Sequence, residues 1–327
     1  MRERCHLLPL KENLTLIRAR ELLSKDYSFI PSALLKYNSD DDEYKNINCW
    51  NTIDEIYSFN DQIRYFQAEG TMEVRSGSLE DFNGNLKAKR FRINQINIVA
   101  VFLEIEVFPN VRKICVLIEE SENQIKNVKT HLFGMRREIA DKTLKEEWGI
   151  NKKEDSFFKF KDDFFSWIMI QNEKNIAPEN MQILDINHIY DIHSEQEREH
   201  RISGDGILND LLSSVALILE PEFISLGILI EDTLGRFDFI LSSNGSVELK
   251  ESTSYLKQTN GETVPISEAN KMIAYIIIYG KIIPKLINHY NIEYLNITFG
   301  NEKKDFLNKK TKEAIEKLKC LLDKKLK

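Results

Sequence analysis

Beyond residue 206 the apolar residues fall in short blocks with a turn or breaker between each pair, and that succession leaves few folds open. Residues 207–219 place Leu208, Leu211, Leu212, Val215, Leu217 and Ile218 close to helical spacing, and Glu220-Pro221 ends the run. Residues 223–230 are a short apolar run that reads as a buried strand. Asp232-Thr233-Leu234-Gly235 turns the chain, residues 237–241 read as a second strand, Ser242-Ser243-Asn244-Gly245 as a tight hairpin turn, and residues 247–250 as a third strand. Residues 267–283 predict a long apolar helix stopping near Pro284, and residues 294–299 a further strand closed by Gly300. Residues 310–325 predict an amphipathic helix with Ala314, Ile315, Leu318 and Leu321 on one side. The expected order is helix, three strands, helix, strand, helix.

Upstream the pattern is less legible. Residues 98–108 are rich in Val, Ile and Phe, Pro109-Asn110 is a turn signal, and residues 114–118 form a second β-like run, so a hairpin is expected. Residues 121–142 read as a charged helix. Residues 157–170 suit helix or strand, their Phe side chains and Trp167 serving core packing, with a base-stacking surface as the alternative. Asp40-Asp41-Asp42-Glu43 reads as a solvated loop. The polar run 193–201, followed by Gly204-Asp205-Gly206, reads as a linker. The expected class is α/β: a mixed α+β regulatory or sensing domain over 1–200, and a second domain over 201–327.

Composition narrows the function classes. The chain has 327 residues, 42% hydrophobic and 30% charged, which suits two globular domains and excludes a disordered chain. Lys and Arg number 45 against 52 Asp and Glu, a net charge of −7, so a uniformly basic coat is excluded while a local basic groove is not. Cys5, Cys49, Cys115 and Cys320 lie far apart with no C-x-x-C pair, which argues against a zinc ribbon or disulfide scaffold and for a reducing compartment. No apolar run approaches the roughly 18 residues of a membrane span, and Leu7-Leu8-Pro9-Leu10 is too short for a signal peptide. A cytoplasmic protein without membrane partners is expected.

The strands carry one chemical grouping. Asp238 is followed by nine residues and then Glu248-Leu249-Lys250. Side chains alternate along a strand, so Glu248 and Lys250 share a face, Leu249 points into the core, and a hairpin brings Asp238 beside them. Carboxylates of this kind hold a hard divalent cation, Mg²⁺ or Mn²⁺, together with waters, a phosphate and a main-chain oxygen such as the Leu249 carbonyl. The cation polarises a phosphoryl oxygen and activates water, and a neighbouring lysine orients that water or stabilises developing charge.

In this setting residues 206–300 resemble the PD-(D/E)XK nuclease superfamily, the restriction-endonuclease-like fold. The resemblance implies an αβββαβ core, Asp238 and Glu248 as metal ligands, and Lys250 as the residue assisting the attacking water. It implies an accessory acid from the preceding helix, for which Asp210 is the candidate. Lys271 stands four residues before Tyr275 where several members carry a glutamine four before a tyrosine, and Phe237 stands where many carry proline. The layout Phe-Asp-Phe-Ile-Leu, Val-Glu-Leu-Lys, polar insert and long helix resembles the nuclease domain of Shedu-type anti-phage proteins. That implies double-stranded DNA as substrate, a role in prokaryotic defence, and a second copy or a defence subunit as partner. Surface strands also carry Glu and Lys as a solvated pair, so a non-catalytic nucleic-acid-binding or scaffold subunit keeping the fold is the alternative.

Other groupings carry less. His188, His193 and His200, with Asp191 among them, are spaced by five and seven residues, which suits neither one helix face nor a zinc pattern, and they read as part of the charged linker. Cys5 beside His6 lies at a terminus, where triads are rarely built. No G-x-x-x-x-G-K-[ST] loop and no G-x-S-x-G elbow occurs. The lysines from Lys303 to Lys327 read as a solvated helix face, with a salt-sensitive DNA surface as the alternative.

Overall fold

Alternation of buried and exposed side chains builds the first half of the chain. The computed structural model describes residues 4–37, 42–59, 63–108, 111–135, 146–150, 157–174, 181–193, 198–218, 222–294 and 298–325. The chain divides into two compact units, Met1–Phe157 and Phe158–Lys327. In the first, β1 (Arg4–Pro9), α1 (Leu16–Leu23), β2 (Asn48–Ile53), β3 (Tyr57–Phe59), β4 (Ile63–Arg75), β5 (Ile93–Phe108), β6 (Val111–Glu120) and α2 (Glu122–His131) follow in order. Its sheet runs β2-β4-β5-β6-β1 with every pairing antiparallel, and β3 pairs with β4.

Along β4, Ile63, Phe66, Ala68 and Met72 face the core while Arg64, Glu69 and Arg75 face water. Phe66 stacks on Phe102 of β5 at 4.7 Å between ring centroids, and Phe133 meets Trp148 edge-on at 5.0 Å. Both buried indoles are satisfied: Trp148 donates to the Tyr27 hydroxyl (3.0 Å) and Trp50 to the Leu132 carbonyl (3.1 Å). Gly70 lies under Trp50, where a Cβ would sit 2.9 Å from the indole. Thr15 and Ser121 cap α1 and α2 through their hydroxyls.

The expected hairpin over 98–118 is present and longer, beginning at Ile93; its turn, Pro109-Asn110, lies outside the described residues. The helix expected over 121–142 is found at Glu122–His131, with Gly134 at φ +69° just beyond, and residues 136–142 lie outside the described set. Of the acidic cluster, Glu43 is not simply solvated: it pairs with the buried Arg92 guanidinium at 2.9 Å.

The second unit contains α3 (Asp162–Lys174), β7 (Met181–His193), β8 (Arg198–Ser203), α4 (Leu211–Ile218), β9 (Glu222–Asp232), β10 (Gly235–Ser242), β11 (Val247–Leu249), β12 (Tyr255–Lys257), β13 (Thr263–Pro265), α5 (Lys271–Ile277), a π-helical turn at Ile278–Ile282, α6 (Ile283–Tyr294) and α7 (Thr298–Lys325). Its strands lie in the order β11-β10-β9-β7-β8, again antiparallel, with β12 pairing β10 and β13. Ile228, Ile230, Phe237, Phe239 and Leu241 form one buried face. Helices α3 and α6 meet through Phe164, Trp167 and Tyr290, and Phe165 of α3 packs on Phe223 of β9.

The helix, three strands and helix expected from residue 207 onward are present. Four expectations are corrected. Of the linker expected over 193–201, residue 193 and residues 198–201 lie in β7 and β8, in which Asp191 pairs with His200 and His193 with Arg198; residues 194–197 lie outside the described set, and the two compact units divide at Phe157. The long helix does not stop at Pro284. The π turn immediately before it widens the helix where the proline lacks an N–H and its ring crowds the preceding turn, and the helix runs on to Tyr294. Of the strand expected over 294–299, the described residues are helical: Tyr294 ends α6 and Thr298 opens α7, with residues 295–297 outside the described set. A short apolar run fits either period, and here Tyr294 packs on Tyr290 one helical turn back, at 5.0 Å. Helix α7 begins at residue 298, well before residue 310. Of residues 157–170, those from Asp162 onward are helix, with Asp162 and Asp163 in its first turn. Among the described residues no helix is long and apolar enough to cross a membrane.

Candidate active site

Along β10, Phe237, Phe239 and Leu241 point into the core, so Asp238 and Ile240 point to the opposite face. The register sets Ile240 opposite Glu248, and the Lys250 amide donates to the Asp238 carbonyl at 2.8 Å. Asp238, Glu248 and Lys250 therefore share one face, while the Leu249 side chain is buried opposite Phe239. The Lys250 ammonium lies 3.4 Å from Asp238 Oδ1. Glu248 is half-buried beside them.

The turn after β11 closes over Asp238. Residues Glu251–Thr253 form a single 3-10 turn before the chain returns as β12. Thr253 donates to Asp238 Oδ2 at 2.7 Å. The Ser254 hydroxyl accepts the Asp238 amide at 2.9 Å and donates to the Lys250 carbonyl at 2.8 Å. From the other side comes Asn187 of β7. Its amide donates to Asp238 Oδ1 at 2.9 Å, and its oxygen accepts from Lys250 Nζ at 2.9 Å. A β-bulge between Ile186 and His188 makes Asn187 an extra residue against β9. Gly227 of β9 leaves the room: a Cβ there would stand 2.5 Å from Asn187 Oδ1.

Asp238 is almost wholly buried, and burying a carboxylate is costly unless donors surround it. Asn187, Thr253 and Lys250 supply them. An ionised carboxylate offers about four lone-pair directions, so about one remains open for a further ligand.

The accessory candidates separate. Lys271 forms an ion pair with Glu251 at 3.0 Å, so it tethers the turn that carries Thr253. Tyr275 is buried one helical turn further along α5. Asp210 ends the 3-10 turn Ile207–Asn209 just ahead of α4, and its carbonyl accepts from the Ser214 amide (3.0 Å) and hydroxyl (2.8 Å). Asp185 was not anticipated. It faces Leu229 on β9, which faces Asp238 on β10, so it lies on the same sheet face, and it accepts the Gly206 amide at 3.0 Å. Asn187, Thr253 and Ser254 were also missed. An Asn inside a run as β-prone as Ile186–Ile192 was the available signal for the first.

Among the described residues no group of three or more His, Cys, Asp or Glu side chains is placed to hold a metal ion. His188 bonds Ser203 across the β7–β8 hairpin at 2.8 Å. The lysine-rich helix α7 keeps Lys304, Lys309, Lys312 and Lys319 exposed, and several of its lysines are paired. Lys303 pairs with Asp163 (2.7 Å), Lys309 with Glu173 (2.9 Å), Lys317 bonds the Asn209 carbonyl, and Lys310 is fully buried against Glu173, Glu313 and the Leu208 carbonyl. No protein-family model matches the chain, and a search of curated proteins finds no match either.

Proposed function

We propose that the second unit is a metal-dependent phosphodiester hydrolase acting on double-stranded DNA in the cytoplasm, in prokaryotic defence against foreign DNA, working with a second copy or a defence subunit. On this reading α4, β9, β10, β11 and α5 are a restriction-endonuclease-like core. The observation that carries it is the meeting of the Asp238 carboxylate and the Lys250 ammonium at 3.4 Å, with Glu248 on the same sheet face.

The donors suit one hard cation of the Mg²⁺ or Mn²⁺ kind: Asp238 and Glu248 offer carboxylate oxygens, the Leu249 carbonyl would add a main-chain one, and water and phosphate oxygens would complete the shell. When bound, that cation supplies Lewis acidity toward a phosphoryl oxygen and lowers the pKa of water. The chain's own residues do the rest. Asp238, held on three sides, presents one fixed oxygen direction. Lys250, a third exposed and steadied by Asn187, reaches solvent with a donor to spare, where it orients the attacking water or meets charge on the phosphate. Lys271 holds the Glu251 turn in place and so keeps Thr253 on Asp238.

Plasmid cleavage in Mg²⁺ tests this directly. The parent chain is expected to nick or linearise DNA, and Glu248→Ala, Asp238→Asn and Lys250→Ala are expected to abolish it. Equal cleavage by all four proteins would remove the site from consideration. A second reading, a non-catalytic subunit keeping the fold, draws support from the three donors that Asp238 already accepts within the protein. It predicts no cleavage by the parent together with a lower melting temperature for Asp238→Asn.

A further inference from the structure

We propose that the first unit binds single-stranded nucleic acid on the hairpin between β4 and β5, with Phe82 and Phe91 as stacking platforms. Between these strands the Ser76 amide bonds the Arg92 carbonyl (2.9 Å), the Lys87 amide the Leu79 carbonyl (2.9 Å), and the Asp81 amide the Asn85 carbonyl (2.8 Å). The arm is thus laddered to its apex. There the Asp81 carboxylate accepts the amides of Asn83 (2.8 Å) and Asn85 (2.9 Å), and Gly84 turns the chain at φ +80°. Phe82 sits on this braced turn fully exposed to water.

A bare Phe at a loop tip does nothing for the core, and a tight, hydrogen-bonded turn that presents one holds its ring out to solvent. Further down the arm Phe91 is 61% exposed, with the Arg90 guanidinium 4.7 Å from its ring centroid, an open cation–π pair. Arg75 and Lys87 are held along the arm by the Gly77 carbonyl (2.9 Å) and the Ser78 hydroxyl (2.6 Å), with the charge of Lys87 also felt by Asp81, whereas Glu73 and Glu80 are held by Lys89 and Lys36 at 2.8 Å each. Flat aromatic faces interleaved with cations are the chemistry that takes unpaired bases and their phosphates; a duplex hides its base faces. A bilayer fits less well, because Asp81, Asn83 and Asn85 flank the ring and would enter the headgroups with it. This reading does not depend on the hydrolase site.

Fluorescence anisotropy with a labelled oligothymidylate, repeated with oligouridylate, tests the proposal on the full chain in EDTA, so that cleavage plays no part. The parent is expected to bind at low salt, with affinity falling steeply as salt rises. Phe82→Ala is expected to weaken binding about tenfold, Phe82→Trp to keep it, and Phe82→Leu to lose as much as Ala, because stacking needs a π face. The two oligonucleotides separate DNA from RNA as the ligand, and a duplex competitor is expected to displace poorly. No binding by the parent overturns the proposal. So does unchanged binding by Phe82→Ala, which would assign the tip to a protein contact, and so does parent-like binding by Phe82→Leu. Failure here leaves the plasmid assay untouched, and failure of the plasmid assay leaves this result standing.

Discussion

Asn187 shows how much rests on one side chain. It bridges the two charged groups of the candidate site, donating to Asp238 and accepting from Lys250. Asn187→Ala removes one bond from the nearly buried Asp238 and one from the part-exposed Lys250, and a loss of about 1–3 kcal/mol is expected, read by urea denaturation. Gly227→Ala acts on the same contact from beneath: its Cβ would meet Asn187 Oδ1 and His188 Cβ at 2.5 Å each, so the bulge must shift. That substitution is expected to lower the melting temperature and, in a cleavage-competent protein, to reduce kcat more than KM. Wild-type melting and kinetics from Gly227→Ala would show that the bulge does not position the site. Asp238 and the Glu-Leu-Lys triplet could be picked out from their spacing along two strands. Asn187 could not, because it arrives from a third strand through a register shift that no local pattern encodes.

At the scale of elements, α7 is held by charge as much as by apolar contact. Lys310 is fully buried, bonded to Glu173 of α3, Glu313 of its own helix and the Leu208 carbonyl. Lys310→Ala would leave carboxylates without their cation, and about 3–5 kcal/mol of destabilisation is expected by chemical denaturation. Lys310→Met, which keeps the volume, is expected to cost the same or less. The helix was expected to present its lysines to solvent; Lys304, Lys309, Lys312 and Lys319 do, while Lys310 is buried and Lys303 and Lys317 are part-buried against their partners. The same lesson holds for α5 and α6. A proline reads locally as a stop, yet a π turn supplies the extra width that lets the helix continue.

Across the molecule, acid is expected to loosen the fold. Burial pushes the Glu173 carboxyl up, but the hydrogen bonds and charges of Lys310 and Lys309 outweigh it, so it titrates below the ordinary glutamate range. Glu147 lies low as well, chiefly through its hydrogen bond from Lys25, and Asp26 through those from Ser28. A carboxyl whose folded pKa is depressed stabilises the protein at pH above its unfolded value, and that contribution is lost as pH falls through the folded one. Melting temperature is therefore expected to hold from neutrality down to about pH 4.5, the ordinary glutamate value, and to fall below it. Lys310→Met should flatten that fall, because Glu173 loses its nearest charge partner; an unchanged acid limb would show that the Glu173 pairing does not report on stability.

Local spacing was enough to place the β9–β10–β11 succession, the hairpin turn at Asn244-Gly245 and the shared face of Glu248 and Lys250, since alternation and turn chemistry act between near neighbours. Long-range pairing alone made strands of residues 193 and 198–203. It also brought Asn187 beneath Asp238 across β9. Those outcomes depend on which face of which distant strand is already buried, a boundary condition that no short stretch of chain carries.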